Sequence, residues 1–255
     1  MRITFLGTGT SQGIPVIGCD CEVCLSDNPK DKRLRCAAFI QEGDTSLLID
    51  SGPDIRIQLL RERIRRINGV LLTHEHYDHT GGLDDLRPFI FMQNQPMQVY
   101  AQADVLRILQ IKYDYAFGAG SYPGAPKFRL TEVSSGIPFN VHQSNIVPWR
   151  VFHGDLGILG YKFGNKLMYI TDASELPDET IEECKGISCL VINALHHRPH
   201  HAHFTLEQTL KTIDVLHPKS SYIIHMSHHM GLHNTLSASL PPTVHFAYDS
   251  LSLDL

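Results

Sequence analysis

The feature that most constrains this chain is a six-residue segment, His74-Glu75-His76-Tyr77-Asp78-His79, which holds four potential metal ligands. The segment directly follows an apolar run at residues 70–72, so we expect its ligands to stand at the end of a β-strand. Packing does not explain three histidines and an aspartate in the pattern H-x-H-x-D-H, whereas divalent zinc, manganese and iron accept imidazole and carboxylate. Because neighbouring side chains diverge at this spacing, they can serve two ions rather than one.

The bulk composition of the 255 residues is ordinary for a globular protein, apart from 16 histidines. Apolar residues make up 42% and charged residues 19%, and the formal net charge of −5 gives no basic bias towards nucleic acid. No apolar run approaches the length that spans a bilayer, and the N-terminal residues are too short in their apolar part for a secretory signal. We therefore expect a cytoplasmic protein with neither a membrane nor a nucleic-acid partner.

A cysteine cluster near the N-terminus, C-x-C-x-x-C at residues 19–24, predicts a second kind of metal site. Its thiolates would come from Cys19, Cys21 and Cys24. Structural zinc takes four ligands, so a fourth must come from elsewhere in the chain. His228 is the best candidate because it lies three residues beyond His225, and His229 and Asp20 are the alternatives. The other three cysteines are scattered and are expected to be small core residues.

Short apolar runs bounded by turn residues predict many short strands with helices among them. The predicted strands cover residues 2–6, 37–41, 46–50, 69–73, 97–101, 150–153, 157–163, 166–171, 188–193, 220–225 and a final one within 243–253. The predicted helices cover residues 54–67, 104–113 and 205–217, the first burying Ile57, Leu60, Ile64 and Ile67, and the last opening with a capping box of Thr205 and Gln208. Some strands precede helices, and others pair as hairpins across Gly43-Asp44 and Gly164-Asn165. The mixture predicts two mixed β-sheets packed face to face with helices outside, in one domain over residues 1–255.

Four of the predicted strands lead directly to a metal-competent residue. These residues are His74, His153, Asp172 and His225. Ligands gather at the ends of sheet strands in layered α/β folds, so the side chains are expected on one rim together with the rest of the H-x-H-x-D-H box.

Several motifs, spread over essentially the whole chain, resemble those of the metallo-β-lactamase fold superfamily. They are the H-x-H-x-D-H box, Thr8-Gly9-Thr10, Leu48-Ile49-Asp50-Ser51-Gly52, Phe152-His153-Gly154, Tyr169-Ile170-Thr171-Asp172 and the late His225. Within that superfamily, the cysteine cluster and His225-Met226-Ser227-His228 are similar to the phosphoribosyl cyclic phosphodiesterases. The resemblance implies an αββα four-layer sandwich, and it suggests a homodimer.

The resemblance also implies a hydrolytic centre with two divalent ions, in addition to the one structural zinc that the cysteine cluster predicts. The implied ligands are His74, His76 and His153 for the first ion, Asp78, His79 and His225 for the second, and Asp172 as the bridge between them. Each ion would keep an open position for a shared water or hydroxide. The donor set suits zinc, manganese and iron alike, so the identity of the catalytic ions stays open.

The histidine-rich segment at residues 196–203 is expected to act on the substrate. In the related enzymes a histidine before the following helix faces the scissile phosphate, which makes His203 the candidate general acid or transition-state donor, together with Asp78 in the catalytic set. His200 is the alternative, and Arg198 is either a substrate contact or a solvated loop residue. Asp50, at the end of a strand, either accepts a hydrogen bond from a ligating imidazole or serves only as a turn carboxylate.

The leading hypothesis is a metal-dependent phosphodiesterase that uses a hydroxide shared by two metal ions. Its substrate would be a small cyclic or nucleotide-like phosphodiester, of the phosphoribosyl cyclic phosphate type. A transfer-RNA 3′ processing endonuclease is one alternative, which the acidic net charge and the lack of a long basic, glycine-rich arm disfavour. The others are a thioester or lactone hydrolase and, outside catalysis, a metal-stabilised binding module.

Overall fold

Two β-sheets form the centre of the protein in the computed structural model, which describes residues 1–117 and 124–255. The first sheet contains β1 (Arg2–Gly7), β2 (Ala37–Glu42), β3 (Thr45–Ile49), β4 (Gly69–Leu71), β5 (Met97–Ala101), β6 (Phe128–Glu132) and β14 (Ser252–Asp254), in the order β14-β1-β2-β3-β4-β5-β6. The second contains β7 (Phe139–Val141), β8 (Ser144–His153), β9 (Leu156–Phe163), β10 (Leu167–Tyr169), β11 (Cys189–Asn193), β12 (Ser220–Ile224) and β13 (Val244–Phe246), in the order β13-β12-β11-β10-β9-β8-β7. Each sheet is mixed, because pairing is parallel from β3 to β6 and from β10 to β13 and antiparallel elsewhere.

The helices are α1 (Glu22–Leu25), α2 (Ile55–Arg61), α3 (Tyr77–Thr80), α4 (Arg87–Gln93), α5 (Ala103–Lys112), α6 (Asp114–Phe117), α7 (Asp178–Cys184), α8 (Leu206–Leu216) and α9 (His233–Ser237), with short 3₁₀ turns at Pro29–Asp31, Leu83–Leu86 and His228–Met230. Helices α2, α4 and α5 pack on the outer face of the first sheet, and α7 and α8 pack on that of the second. None of the helices in the described ranges is long and apolar enough to cross a membrane.

Three apolar layers hold the sheets and helices together. The middle layer lies between the sheets and includes Phe5, Ile49 and Tyr161, all fully buried. One outer layer lies under α2, α4 and α5, and the other under α7 and α8. Side chains alternate between layers along a strand, so Leu71 of β4 packs between the sheets while Val70 packs under the helices. The predicted αββα sandwich is confirmed.

The prediction of a helix over residues 54–67 was wrong in both its end and its buried face. Helix α2 ends at Arg61, because Arg63 takes a left-handed conformation with φ 53° and the chain leaves the helical path. Ile57 and Leu60 are 58% and 62% exposed, and the helix buries Ile55 and Leu59 instead. The helical spacing of Ile57 and Leu60 with Ile64 and Ile67 misled the prediction, since the latter two pack from the loop after the helix.

Other elements follow the predictions more closely. The hairpins across Gly43-Asp44 and Gly164-Asn165 are confirmed, and each glycine adopts a positive φ at its turn. Thr205 and Gln208 form the expected capping box, with Thr205 Oγ1 accepting from Gln208 N and Gln208 Oε1 from Thr205 N. The single final strand expected within residues 243–253 was wrong, because β13 and β14 are separate and lie in different sheets. Strands β6 and β7 were missed, as were helices α4 and α7 and the short helices α1, α3, α6 and α9.

The three scattered cysteines are buried, as predicted. Cys36 and Cys189 are each 1% exposed and Cys184 is fully buried.

Candidate metal centre

Five polar side chains stand where strands of the two sheets end. Asp50 follows β3, His153 ends β8, and the others are His74, Asp172 and His225. Asp50, Asp172 and His225 have left-handed backbones, with φ of 63°, 58° and 57°. A non-glycine residue held in that region costs on the order of 1 kcal/mol or more, so the surrounding fold must impose it. The tight turns place all these side chains on one rim of the sandwich.

Close backbone packing joins the turn after β3 to the H-x-H-x-D-H box. A Cβ atom on Gly52 would lie only 2.0 Å from the carbonyl oxygen of Asp78, so this position requires glycine. Ser51 N donates to the carbonyl oxygen of His79 at 2.7 Å. Helix α3 is thereby held against the end of β3, which fixes where Asp78 and His79 point.

The donor atoms gather into two adjacent groups, each with all its donors within 4.8 Å of one another. The first group is His74, His76 and His153, and the second is Asp78, His79, Asp172 and His225. Asp172 also forms a third such set with His153 and His203. Its carboxylate therefore lies within reach of donors from both groups, at the position where the resemblance implies a bridging ligand.

A hydrogen-bond relay through Asp50 fixes the proton of two imidazoles. The Asp50 carboxylate accepts from Thr73 N at 2.9 Å, from Thr73 Oγ1 at 2.9 Å and from His79 Nδ1 at 2.7 Å. The Thr73 hydroxyl hydrogen is directed at Asp50. In the 2.9 Å contact between His74 Nδ1 and Thr73 Oγ1, the imidazole N–H therefore donates and the hydroxyl oxygen accepts. His74 and His79 therefore carry their protons on Nδ1 and present the Nε2 lone pairs to the centre.

His153 is oriented in the same way from the second sheet. Its Nδ1 donates to the carbonyl oxygen of Ala202 at 2.7 Å, which leaves Nε2 free. The rings of His74 and His153 lie 5.6 Å apart, and that of His76 lies 4.6 Å from the first and 5.2 Å from the second. Thr171 donates to Asp172 Oδ2 at 2.5 Å and so fixes that carboxylate from the side.

Several buried polar atoms in the centre have no hydrogen-bond partner. They are His74 Nε2, His79 Nε2 and both ring nitrogens of His225. His225 Nε2 lies 3.0 Å from Asp172 Oδ1, but its orientation makes no hydrogen bond. Buried polar atoms are almost always satisfied, and inward-facing lone pairs are satisfied by a cation. The residues present therefore fit a divalent metal centre.

The electrostatics of the second group also favour bound cations. Burial acts to lower the pKa of His225, but the charges of Asp172 and Asp78 outweigh it and raise that pKa to about 9. Burial likewise acts to raise the pKa of Asp172, yet His225 and His79 hold it well below its usual range. The Asp172 carboxylate is thus ionised and stabilised by positive charge beside it, and bound cations would supply such charge in place of protons on the imidazoles.

His203 faces this centre from the segment before α8. Its Nδ1 lies 3.9 Å from Asp172 Oδ1 without a hydrogen-bond partner, and its ring lies 4.5 Å from that of His153 and 4.9 Å from that of His225. Burial and then the neighbouring His225 lower the pKa of His203 to about 2. Of the two histidines considered from the sequence, His203 is buried against the centre, and the His200 ring lies one layer further out, 5.0 Å from that of His203.

The cysteine cluster forms a separate site with His228. The Nδ1 atom of His228 lies 3.2 Å, 3.3 Å and 3.6 Å from the sulfur atoms of Cys19, Cys21 and Cys24. Tetrahedral zinc with ordinary Zn–S and Zn–N bonds would separate sulfur from nitrogen by about 3.5 Å. The backbone N–H of Cys24 is the largest influence on Cys21 and lowers the pKa of its thiol to about 6. The four side chains therefore fit a closed zinc site. The residue grouped with the three cysteines is His228, and neither of the alternatives, His229 and Asp20, belongs to that group.

Sequence reasoning missed the residues that orient the ligands. Thr73 and Thr171 each directly precede a site residue, and that adjacency was the only signal available. The carbonyl of Ala202 carried no signal, because its partner His153 lies 49 positions away in the chain.

Known proteins share both the fold and the sequence pattern. A family model described as "Beta-lactamase superfamily domain" matches residues 45–226. An octanoyltransferase of Porphyromonas gingivalis is 42% identical over 253 residues, which cover 98% of this chain and 51% of that protein. The chain thus spans about half the length of this curated relative.

Two solved structures superpose over the full chain. A new diphosphatase from the PhnP family gives a TM-score of 0.92 at 35% identity, covering 100% of this chain and 97% of that chain. Zn²⁺-bound PqqB from Methylobacterium extorquens gives a TM-score of 0.83 at 18% identity, covering 100% of both chains, and supports the fold alone. The chain therefore belongs to the beta-lactamase superfamily domain family, has the metallo-β-lactamase fold and falls in its PhnP-like subfamily.

Proposed function

We propose that this protein is a metal-dependent phosphodiesterase that hydrolyses a small cyclic or nucleotide-like phosphodiester. The observation that carries the proposal is the convergence of seven metal donors, with at least three imidazoles presenting Nε2 to the centre. A centre with this set of donors would hold two divalent ions side by side, which suits the charge that develops on a phosphoryl group.

The ligand roles follow from the two groups of donors. His74, His76 and His153 would hold one ion, Asp78, His79 and His225 the other, and Asp172 would bridge them. Bound there, divalent ions supply a hydroxide at neutral pH and neutralise negative charge on the phosphoryl oxygens. Zinc, manganese and iron all fit this donor set.

His203 is the residue that we assign to the substrate. A phosphoryl group that binds beside Asp172 meets the ring of His203, whose Nδ1 has no other partner. The protonated imidazole would stabilise the growing negative charge and supply a proton to the leaving oxygen. Negative charge from the substrate raises the proton affinity of this ring, which burial otherwise keeps neutral.

The relatives support phosphoryl chemistry. The PhnP-family protein, 35% identical over the full chain, is described as a diphosphatase. The name octanoyltransferase belongs to a protein about twice as long as the matched region, so we do not carry that activity over to this chain.

The test is hydrolysis of bis-p-nitrophenyl phosphate by protein reconstituted with zinc or manganese. We expect turnover that His203→Ala lowers by at least about 100-fold while both catalytic ions stay bound, because the loss of one donor to the growing negative charge costs on that scale. His245→Ala, an exposed histidine on β13, is the matched control. Loss of an ion in His203→Ala would make His203 a ligand instead.

A further inference from the structure

The loop before α8 contains histidines that the metal centre leaves unused. The segment at residues 196–203 reads His-His-Arg-Pro-His-His-Ala-His and contains no acidic residue. It lies directly beside the centre, since the ring of His200 is 5.0 Å from that of His203. The row continues outward, with the His196 ring 6.0 Å from His200 and 6.3 Å from His229.

Two of these imidazoles are held by the backbone in the same way. His196 Nδ1 accepts the backbone N–H of Arg198 at 3.1 Å, and His200 Nδ1 accepts that of Ala202 at 3.2 Å. A ring that accepts at Nδ1 carries its proton on Nε2, so both rings offer an N–H donor on the side away from the loop backbone. The repeated bond to the residue two positions ahead therefore fixes a pair of outward donors.

The loop itself is anchored on both sides. Leu195 N donates to Phe204 O at 3.0 Å and closes the loop across its ends. His197 Nε2 donates to Met230 O at 2.8 Å, which ties the loop to the turn that carries His228. Donors on such a loop are positioned before a ligand arrives, so little ordering is needed on binding.

The charge of this surface favours an anion. Arg198 is exposed at the tip of the loop, and none of the carboxylates in the described parts of the chain forms an ion pair with it. Imidazole N–H groups and a guanidinium can together donate hydrogen bonds to phosphate oxygens.

We propose that His196, Arg198 and His200 form a subsite for a second phosphoryl group, next to the one that binds at the metal centre. This inference rests on the proposed function and narrows its substrate to diesters of diphosphate, such as nucleoside diphosphate esters. In that reaction a water oxygen bonds to the phosphorus at the centre and the bridging P–O bond breaks. The bond's electron pair leaves with the second phosphoryl group, and the products are two phosphate monoesters and one proton released to solvent or product.

The kinetic test compares two substrates on the metal-replete protein. ADP-ribose carries two linked phosphoryl groups, whereas thymidine 5′-monophosphate p-nitrophenyl ester carries one. We expect His196→Ala and Arg198→Ala each to lower the ratio of kcat/KM for ADP-ribose over the single-phosphoryl ester about tenfold, as for the loss of a charged hydrogen bond. The loss should fall mainly on KM, and His245→Ala should leave the ratio unchanged.

A binding test removes the dependence on turnover. In zinc-loaded protein labelled with ¹⁵N-histidine, α,β-methylene adenosine 5′-diphosphate should shift the Nε2 resonances of His196 and His200, and adenosine 5′-monophosphate should not. Equal shifts with both ligands would overturn the subsite. So would an extra zinc ion that disappears in His196→Ala, because the row would then be a metal site.

The two proposals fail in different ways. If the wild-type protein cleaves neither ester, the proposed function is wrong. If it cleaves both and the variants leave the ratio unchanged, only the diphosphate subsite is wrong.

Discussion

Replacing Asp50 by asparagine should weaken metal binding although Asp50 itself is not a predicted ligand. Asp50 is fully buried and accepts hydrogen bonds on both oxygens, from Thr73 on one side and from His79 Nδ1 on the other. Asparagine has nearly the same shape, but one oxygen becomes an amide donor. Either Thr73 N–H or His79 Nδ1–H then faces another donor, and the relay that holds the Nδ1 proton of His74 or His79 is broken.

The size of the effect follows from the bonds that are lost. Removing a partner that orients a metal ligand costs about 10- to 100-fold in metal affinity, or about 1.4–2.7 kcal/mol. A buried donor left unsatisfied costs a further 1–3 kcal/mol or so in the free energy of unfolding. We therefore expect Asp50→Asn to fold, to bind catalytic zinc at least about tenfold more weakly and to keep the zinc of the cysteine site.

The assay is competition for zinc with a chelator of known affinity, followed by metal counting and thermal unfolding. Asp44→Asn is the control, because Asp44 lies in the exposed hairpin turn between β2 and β3. Wild-type zinc affinity in Asp50→Asn would refute the reasoning, since the relay would then contribute nothing to the centre.

Two further predictions concern the cysteine site and pH. Cys21→Ser should bind one zinc ion fewer and unfold at a lower temperature, since a metal bound only by the folded state stabilises it, and an unchanged zinc count would contradict the site. Burial, and then Arg33, lower the pKa of His233 to about 4, below its unfolded value of about 6.5. The unfolded chain therefore binds the proton more tightly, and stability should fall by up to about 3 kcal/mol as the pH drops from 6.5 to 4. His233→Gln should flatten that part of the stability curve, and an unchanged slope would show that another group titrates.

The side chains of the candidate metal centre could be picked out from the sequence because each has a local signal. His74, His153, Asp172 and His225 each come at or just after the end of an apolar run, and the sandwich brings those ends to one rim. The αββα architecture followed from the same short runs and from two hairpin turns. These patterns each involve only a few neighbouring residues, so they can be recognised without knowledge of the tertiary structure.

The hydrogen bonds that orient these side chains could not be predicted in the same way. The relay from His74 through Thr73 to Asp50 exists only because β3 and β4 are neighbours in the first sheet. The outward donors of His196 and His200 depend on two loop hydrogen bonds that no periodicity reveals. Helix α2 shows the converse error, since the apolar spacing implied a longer helix with another buried face, whereas the helix buries Ile55 and Leu59 and ends before the left-handed turn at Arg63.

The central claim is that the seven converging donors bind two ions and that this centre cleaves phosphodiesters. The most direct measurement follows bis-p-nitrophenyl phosphate hydrolysis together with bound metal in the same sample, before chelation, after it and after metal is restored. We predict two catalytic ions per chain in addition to the cysteine-site zinc, with turnover that disappears on their removal and returns with them. A protein that holds both ions and cleaves a thioester or a lactone, but no phosphodiester, would contradict the account.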